Sequence, residues 1–200
     1  MTNSFETWVE QIFGEGQQGN DWWVGHSYLT VVYLTRLFSH APQVLEPYSN
    51  EQVSRGLTYL ASDEHSQTML ALLDEHVLWY ERQTCIQSIY KLYEEFFASR
   101  CALNSADSLQ HVSLKFFEMP PIRGCSESPA VNAEFLDLFR KVLSIDSDIC
   151  KQGALVGLGV WRPYYSEEVD AILDGFLVNN PDLGESLREY VSLARKGVSA

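Results

Sequence analysis

Apolar residues in this chain recur three and four positions apart, the rhythm of one face of an α-helix. Phe5, Trp8, Val9, Ile12 and Phe13 form the first such stripe and predict a helix over residues 5–13. Gly14, Gly16, Gly19 and Asn20 then mark a loop, and Asp21 is placed to cap a second helix over residues 22–39. That segment is apolar nearly all round, which predicts a central, buried helix. Pro42 and Pro47 punctuate the chain before Ser49, and Ser49 with Gln52 has the spacing of a capping box. A third helix is therefore expected to about Ala61, a short one over residues 64–73 and a long aromatic one over residues 75–100. Residues 108–118 read as helix, with a strand as the alternative because aromatic and β-branched residues also suit strands.

Two prolines and a glycine between Met119 and Ser128 mark a linker. The expected organisation is an N-terminal helical subdomain over 1–118, a linker over 119–128 and a C-terminal subdomain over 129–200. Ser128-Pro129 reads as a cap followed by proline at the first helical position. It opens a helix over 129–144, followed by helices over 148–160 and 167–179, the latter capped by Ser166. A last helix, capped by Asn180-Pro181, runs to about Lys196. Turns this short force consecutive helices to run antiparallel. The expected fold class is all-α, built from stacked antiparallel helical hairpins.

Gly153 and Gly157 lie four apart on one face of the 148–160 helix. Each interior glycine costs a helix about 1 kcal/mol relative to alanine, and close approach of a second backbone explains such a cost. A phosphate-binding loop does not, since no strand precedes the segment and no Gly-Lys-Ser/Thr follows it. Gln152, Ala154, Leu155, Gly157, Leu158 and Gly159, followed by Pro163-Tyr164, resemble a pattern of bacterial HEAT-like helical-repeat proteins. The stretch from Glu51 to Leu60 is similar to a second piece of it. That pattern often has His after Leu-Gly, where this chain has Val160. The resemblance implies a helical-repeat stack that binds protein. Some proteins of this kind act as cytosolic immunity partners of secreted toxins.

Composition narrows the partner. With 46% hydrophobic residues the chain can bury a core without disulfide or metal support. Its 27 acidic residues against 14 basic ones give a formal charge of −13, which disfavours phosphate backbones and anionic lipid. Residues 1–100 carry 13 acids and 5 bases, so the first half is the more anionic. The beginning of the sequence lacks the basic and apolar regions of a secretory signal, and no apolar run reaches membrane-spanning length. Cys85, Cys101, Cys125 and Cys150 form no Cys-x-x-Cys pair, so reduced thiols in the cytoplasm are expected.

Asp63-Glu64-His65 and Asp74-Glu75-His76 repeat one tripeptide eleven residues apart. On one unbroken helix the two histidines would face the same way, about 16 Å apart, too far to share a metal ion. A helical metal-dependent enzyme using His65, His76 and nearby carboxylates is the third-ranked expectation. His26, His40 and His111 stand singly, and His26 is expected as a core or groove histidine within its apolar helix. No Gly-x-Ser-x-Gly elbow occurs. Neither catalytic residues nor a cofactor is expected. The candidate contacts for a partner are the acids Asp63, Glu64, Asp74, Glu75, Glu94, Glu95, Asp146, Asp148, Glu167, Glu168 and Asp170, with Trp161, Tyr164 and Tyr165 as aromatic anchors in a turn. The function expected is that of a cytosolic inhibitor of a basic, nuclease-like toxin. An adaptor without a toxin partner is the alternative.

Overall fold

Why the helices begin and end where they do is written mostly in their caps. The computed structural model describes residues 4–15, 26–62, 66, 68–101, 107–120, 122 and 128–198. All regular structure among them is helical. Helix α1 (Phe5–Phe13) is capped by Ser4, whose hydroxyl accepts from the Thr7 N–H. It is followed by α2 (Ser27–Ser39), the single turn α3 (Ala41–Val44) and α4 (Asn50–Ala61). Both arms of the capping box at Ser49 and Gln52 form. A 3-10 turn (Thr68–Leu73) leads to α5 (Trp79–Lys91), which widens into a π-turn (Leu92–Phe97) and closes as α6 (Ala98–Arg100). Then come α7 (Ser108–Lys115), α8 (Pro129–Leu143), α9 (Asp148–Trp161), α10 (Ser166–Asn179) and α11 (Glu185–Lys196). Residues 108–115 are helix, which settles the helix-or-strand alternative.

Several boundaries depart from the periodicity. Asp21 lies outside the described residues, and α2 begins at Ser27 with His26, exposed, at its N-cap. The long helix expected from residue 75 begins at Trp79 instead, because Asp74 turns the chain by accepting from the His76 N–H. Ser128 stands at the N-cap of α8 without a side-chain cap bond. Ser166 is the first residue of α10 rather than its cap. Asn180 closes α10, donating its amide to the Phe176 carbonyl, and α11 starts only at Glu185. Gly197, at φ +68°, ends α11 in the left-handed conformation that glycine adopts without penalty.

Helix contacts link two series of neighbours, α2–α5–α8–α10 and α4–α7–α9–α11. Direction follows from residue pairs. Ser113 and Phe117 of α7 and its following turn face Gly153 and Gly157 of α9, in the same order. Gln152 meets Ser186, and Gly159 meets Ala194, so α9 and α11 also run the same way. Phe139 of α8 faces both Gly157 and Trp161, while Phe135, one turn earlier, stacks on Trp161, so α8 and α9 run oppositely.

One buried core runs through both expected subdomains. Its centre is a relay of rings. Phe38 meets Phe116 edge-on, Tyr93 stacks on Phe117 at 4.9 Å, Phe117 meets Phe139 at 4.9 Å, and Phe139 meets Trp161 at 5.6 Å. Such pairs add about 0.5–1.5 kcal/mol each beyond the area they bury. The π-turn places Leu92, Tyr93, Phe96 and Phe97 all inward. The Tyr93 hydroxyl donates to the Ser113 carbonyl at 2.7 Å. On the N-terminal side, Arg100 donates to the Leu45 and Tyr48 carbonyls and to Asn50 Oδ1, tying α6 to the entry of α4.

The glycines of α9 allow this packing. A Cβ at Gly153 would lie 2.6 Å from the Ser113 carbonyl oxygen, and one at Gly157 2.6 Å from the Phe139 ring. Gly175 of α10 is different, because a Cβ there meets nothing within 4 Å. Gly157→Ala is expected to destabilise the fold by about 1–3 kcal/mol through overpacking. Gly175→Ala is expected to stabilise it by about 0.5–1 kcal/mol through helix propensity. Thermal melts of the two variants check the opposite signs.

Candidate functional site

The acids chosen from the sequence fall at separate places on these helices. Asp63, Glu64 and His65 lie outside the described residues. Asp74, Glu75 and His76 occupy a turn before α5 and not a helix. The unbroken helix that would align His65 with His76 is therefore not there. Asp74 accepts hydrogen bonds from the Ser27 side chain and from the His76 backbone N–H, and its Oδ1 lies 2.9 Å from the His76 ring. The Ser27 bond comes first among the causes that hold this carboxyl down at about 2. Glu75 is exposed beside it.

Glu94 and Glu95 sit in the π-turn, and both reach Lys91, at 2.8 and 3.0 Å. Glu94 also accepts from the Tyr90 hydroxyl, and its carboxyl is held below the usual range, first by Lys91 and then by Tyr90. These two acids share one cation, so the pair presents less charge than its sequence suggests. Asp146 and Asp148 are exposed at the start of α9, with Asp148 3.9 Å from Lys151.

At the other end of α9, about 20 Å away by helical rise, lies the turn that carries the remaining candidates. Trp161 is the last residue of the helix and is 1% exposed, wedged between Phe135 and Phe139. The expectation that it anchors a partner is corrected: its ring fills the core because α8 and α9 cross there. Tyr165 is half-buried, and its hydroxyl accepts from the Asn132 amide at 2.6 Å. Asp170 is held by the Arg162 guanidinium through two hydrogen bonds, of 3.3 and 3.1 Å. Tyr164, at 57% exposure, and the exposed pair Glu167 and Glu168 stay open to solvent. Tyr164, Glu167 and Glu168 are neighbours along the chain at this turn, and the length of α9 keeps Asp146 and Asp148 apart from them.

The described cations are mostly engaged within the protein. Arg36 pairs with Glu6, Lys141 with Asp137, Arg162 with Asp170 and Arg195 with Asp174. Arg55, Arg82, Arg100 and Arg188 donate to backbone carbonyls. Arg140 has neither kind of partner among the described residues, and it borders a groove between α8 and α10. Sequence reading passed over this groove. Gly175, an interior helix glycine, was the one signal that pointed to it.

Among the described residues, no cluster of three or more His, Cys, Asp or Glu is arranged to hold a metal ion. No described helix is long and apolar enough to cross a membrane. His26, expected inside an apolar helix, is instead exposed at its start. Compared with known proteins, the chain matches no family, no curated protein and no solved structure.

Asp74 supplies a pH test. Its contribution to stability is present above the ordinary aspartate value, about 3.9, and is lost as pH falls through its folded value of about 2. Ser27→Ala is expected to raise the Asp74 midpoint toward the ordinary range, read from the side-chain carboxyl signal in an NMR titration. A midpoint unmoved by the substitution contradicts the assigned cause.

Proposed function

We propose that this chain is a stack of helical hairpins that binds a basic protein and blocks it by bulk and charge, acting in the cytoplasm as the immunity partner of a nuclease-like toxin. Hairpin partners in direct contact are α8 with α9 and α10 with α11. Two observations support the stack. Neighbours within the α7–α9–α11 series run the same way, and α8 and α9 run oppositely. Both are relations that successive hairpins sharing one core would have.

The observation that carries the binding reading is the asymmetry of charge at the surface. Most of the described cations are taken up by ion pairs and carbonyls, Arg140 and Lys196 excepted, while among the described residues Glu75, Asp146, Glu167 and Glu168 stand exposed with no ion pair. The surface left for a partner is therefore anionic. Such a surface accelerates encounter with a basic protein and selects against acidic ones. Tyr164 beside Glu167 and Glu168 supplies an aromatic contact at the same turn.

Stopped-flow and calorimetric binding to a basic toxin domain encoded next to this chain tests the proposal. Nanomolar or tighter binding with an association rate that falls as salt rises supports it. The double substitution Glu167→Lys with Glu168→Lys is expected to slow association about tenfold and to lower the melting temperature slightly, because two carboxylates leave the first turn of α10. Absence of binding to any neighbouring basic protein counts against the toxin reading. Binding to a basic protein with no toxic activity would favour the adaptor role.

A further inference from the structure

Between the last turns of α8 and α10 lies a groove of about 260 Å³. Leu143 of α8 and Ile172 and Phe176 of α10 close its floor, and all three are otherwise buried. Ala171 and Gly175, both exposed, form its α10 wall, and Arg140 stands on the α8 side. The volume is below that of most small-molecule pockets and suits one or two side chains. The exposed wall leaves it open to a polypeptide instead of enclosing a free ligand.

Two features here are not explained by contacts among the described residues. Gly175 lies inside a helix at a cost of about 1 kcal/mol, yet among the described residues no neighbour comes within 4 Å of where its Cβ would be. The interior glycines of α4 and α9 each admit a neighbour, Phe13 at Gly56, Ser113 at Gly153, Phe139 at Gly157 and Ala194 with Val198 at Gly159. The other feature is Arg140, which lacks an acidic or carbonyl partner among the described residues, in a chain whose acids outnumber its bases 27 to 14. Its place in the last turn of α8 accounts for a positive charge but not for an apolar groove beside it.

We propose that the groove receives a segment of a partner protein that carries an aliphatic side chain next to a carboxylate. The aliphatic group enters between Leu143 and Phe176, the Arg140 guanidinium pairs with the carboxylate, and the missing side chain at Gly175 lets the segment's backbone lie against α10. Arginine suits this role because its planar donors match a carboxylate in two-point contact. The charge selected is opposite to that selected by the acidic turn at Glu167 and Glu168, so this surface goes beyond the reading given above and does not depend on it.

The test uses the full chain and the N-acetylated, C-amidated tetrapeptide Leu-Leu-Asp-Leu, followed by amide NMR. Shifts confined to the α8–α10 groove, with affinity about tenfold weaker for the Asn-containing peptide, support the proposal. Arg140→Glu is expected to abolish the preference for Asp over Asn. Gly175→Leu, which favours the helix, is expected to abolish binding while helicity and melting temperature hold. Equal affinity for the Asp and Asn peptides overturns the role of Arg140. Binding unchanged by Gly175→Leu overturns the site. Groove shifts with dodecanoate but with no peptide overturn the choice of a protein segment and assign the groove to a small amphiphile. None of these outcomes bears on binding of a basic toxin, which is measured separately.

Discussion

The fold depends on how closely α9 approaches its neighbours. At Gly153 the Ser113 carbonyl, and at Gly157 the Phe139 ring, occupy the space a side chain would take. Because α9 sits that close, Phe117 reaches Phe139 and Phe139 reaches Trp161, and the ring relay continues from the π-turn across to α8 and α9. Interiors packed to this density transmit any misfit to their neighbours. The π-turn belongs to the same arrangement. It turns Tyr93 inward, where its hydroxyl bonds the very segment that faces Gly153 and its carbonyl lies 3.5 Å from the Cys150 sulfur.

With the interior taken up by rings, polar chemistry is pushed to the surface, and there the two signs of charge behave differently. Most basic side chains fold back. Arg100 ties three elements together through carbonyls and Asn50, Arg188 covers the α10–α11 turn, and Lys91 bridges two glutamates. Ion pairs this exposed add little stability, typically under 1 kcal/mol. Their effect is on the field outside the protein. Each takes one positive and one negative charge together out of the local field, so the net excess of carboxylates stays with the acids that have no such pair.

Local patterns in the sequence were reliable where the physics was local. The stripe from Phe5 to Phe13, the capping box at Ser49 and Gln52, and the proline that opens α8 each depend on groups a few residues apart, and each formed. The errors occurred where distant residues intervened. Trp161 read as a turn aromatic because the α9–α10 turn was visible, but whether a ring at its edge faces solvent depends on Phe135 and Phe139 of another helix. Asp74 read as a candidate partner contact, but its side chain also accepts from Ser27, far away in sequence. Asp170 read as a candidate partner contact, while Arg162, across the α9–α10 turn, pairs with it.

The sequence by itself therefore determined that the chain is helical, that glycines on the α9 face admit a close neighbour, and that the protein carries a large negative charge. Helix periodicity, caps and net charge are sums over near neighbours or over the whole chain, and neither needs a fold to be evaluated. Only the tertiary structure decided which acids remain unpaired, which aromatics are buried, and that Arg140 and Gly175 meet at one groove. Those properties belong to pairs of residues on different helices, and the side-chain packing that joins them has no periodic signature along the chain.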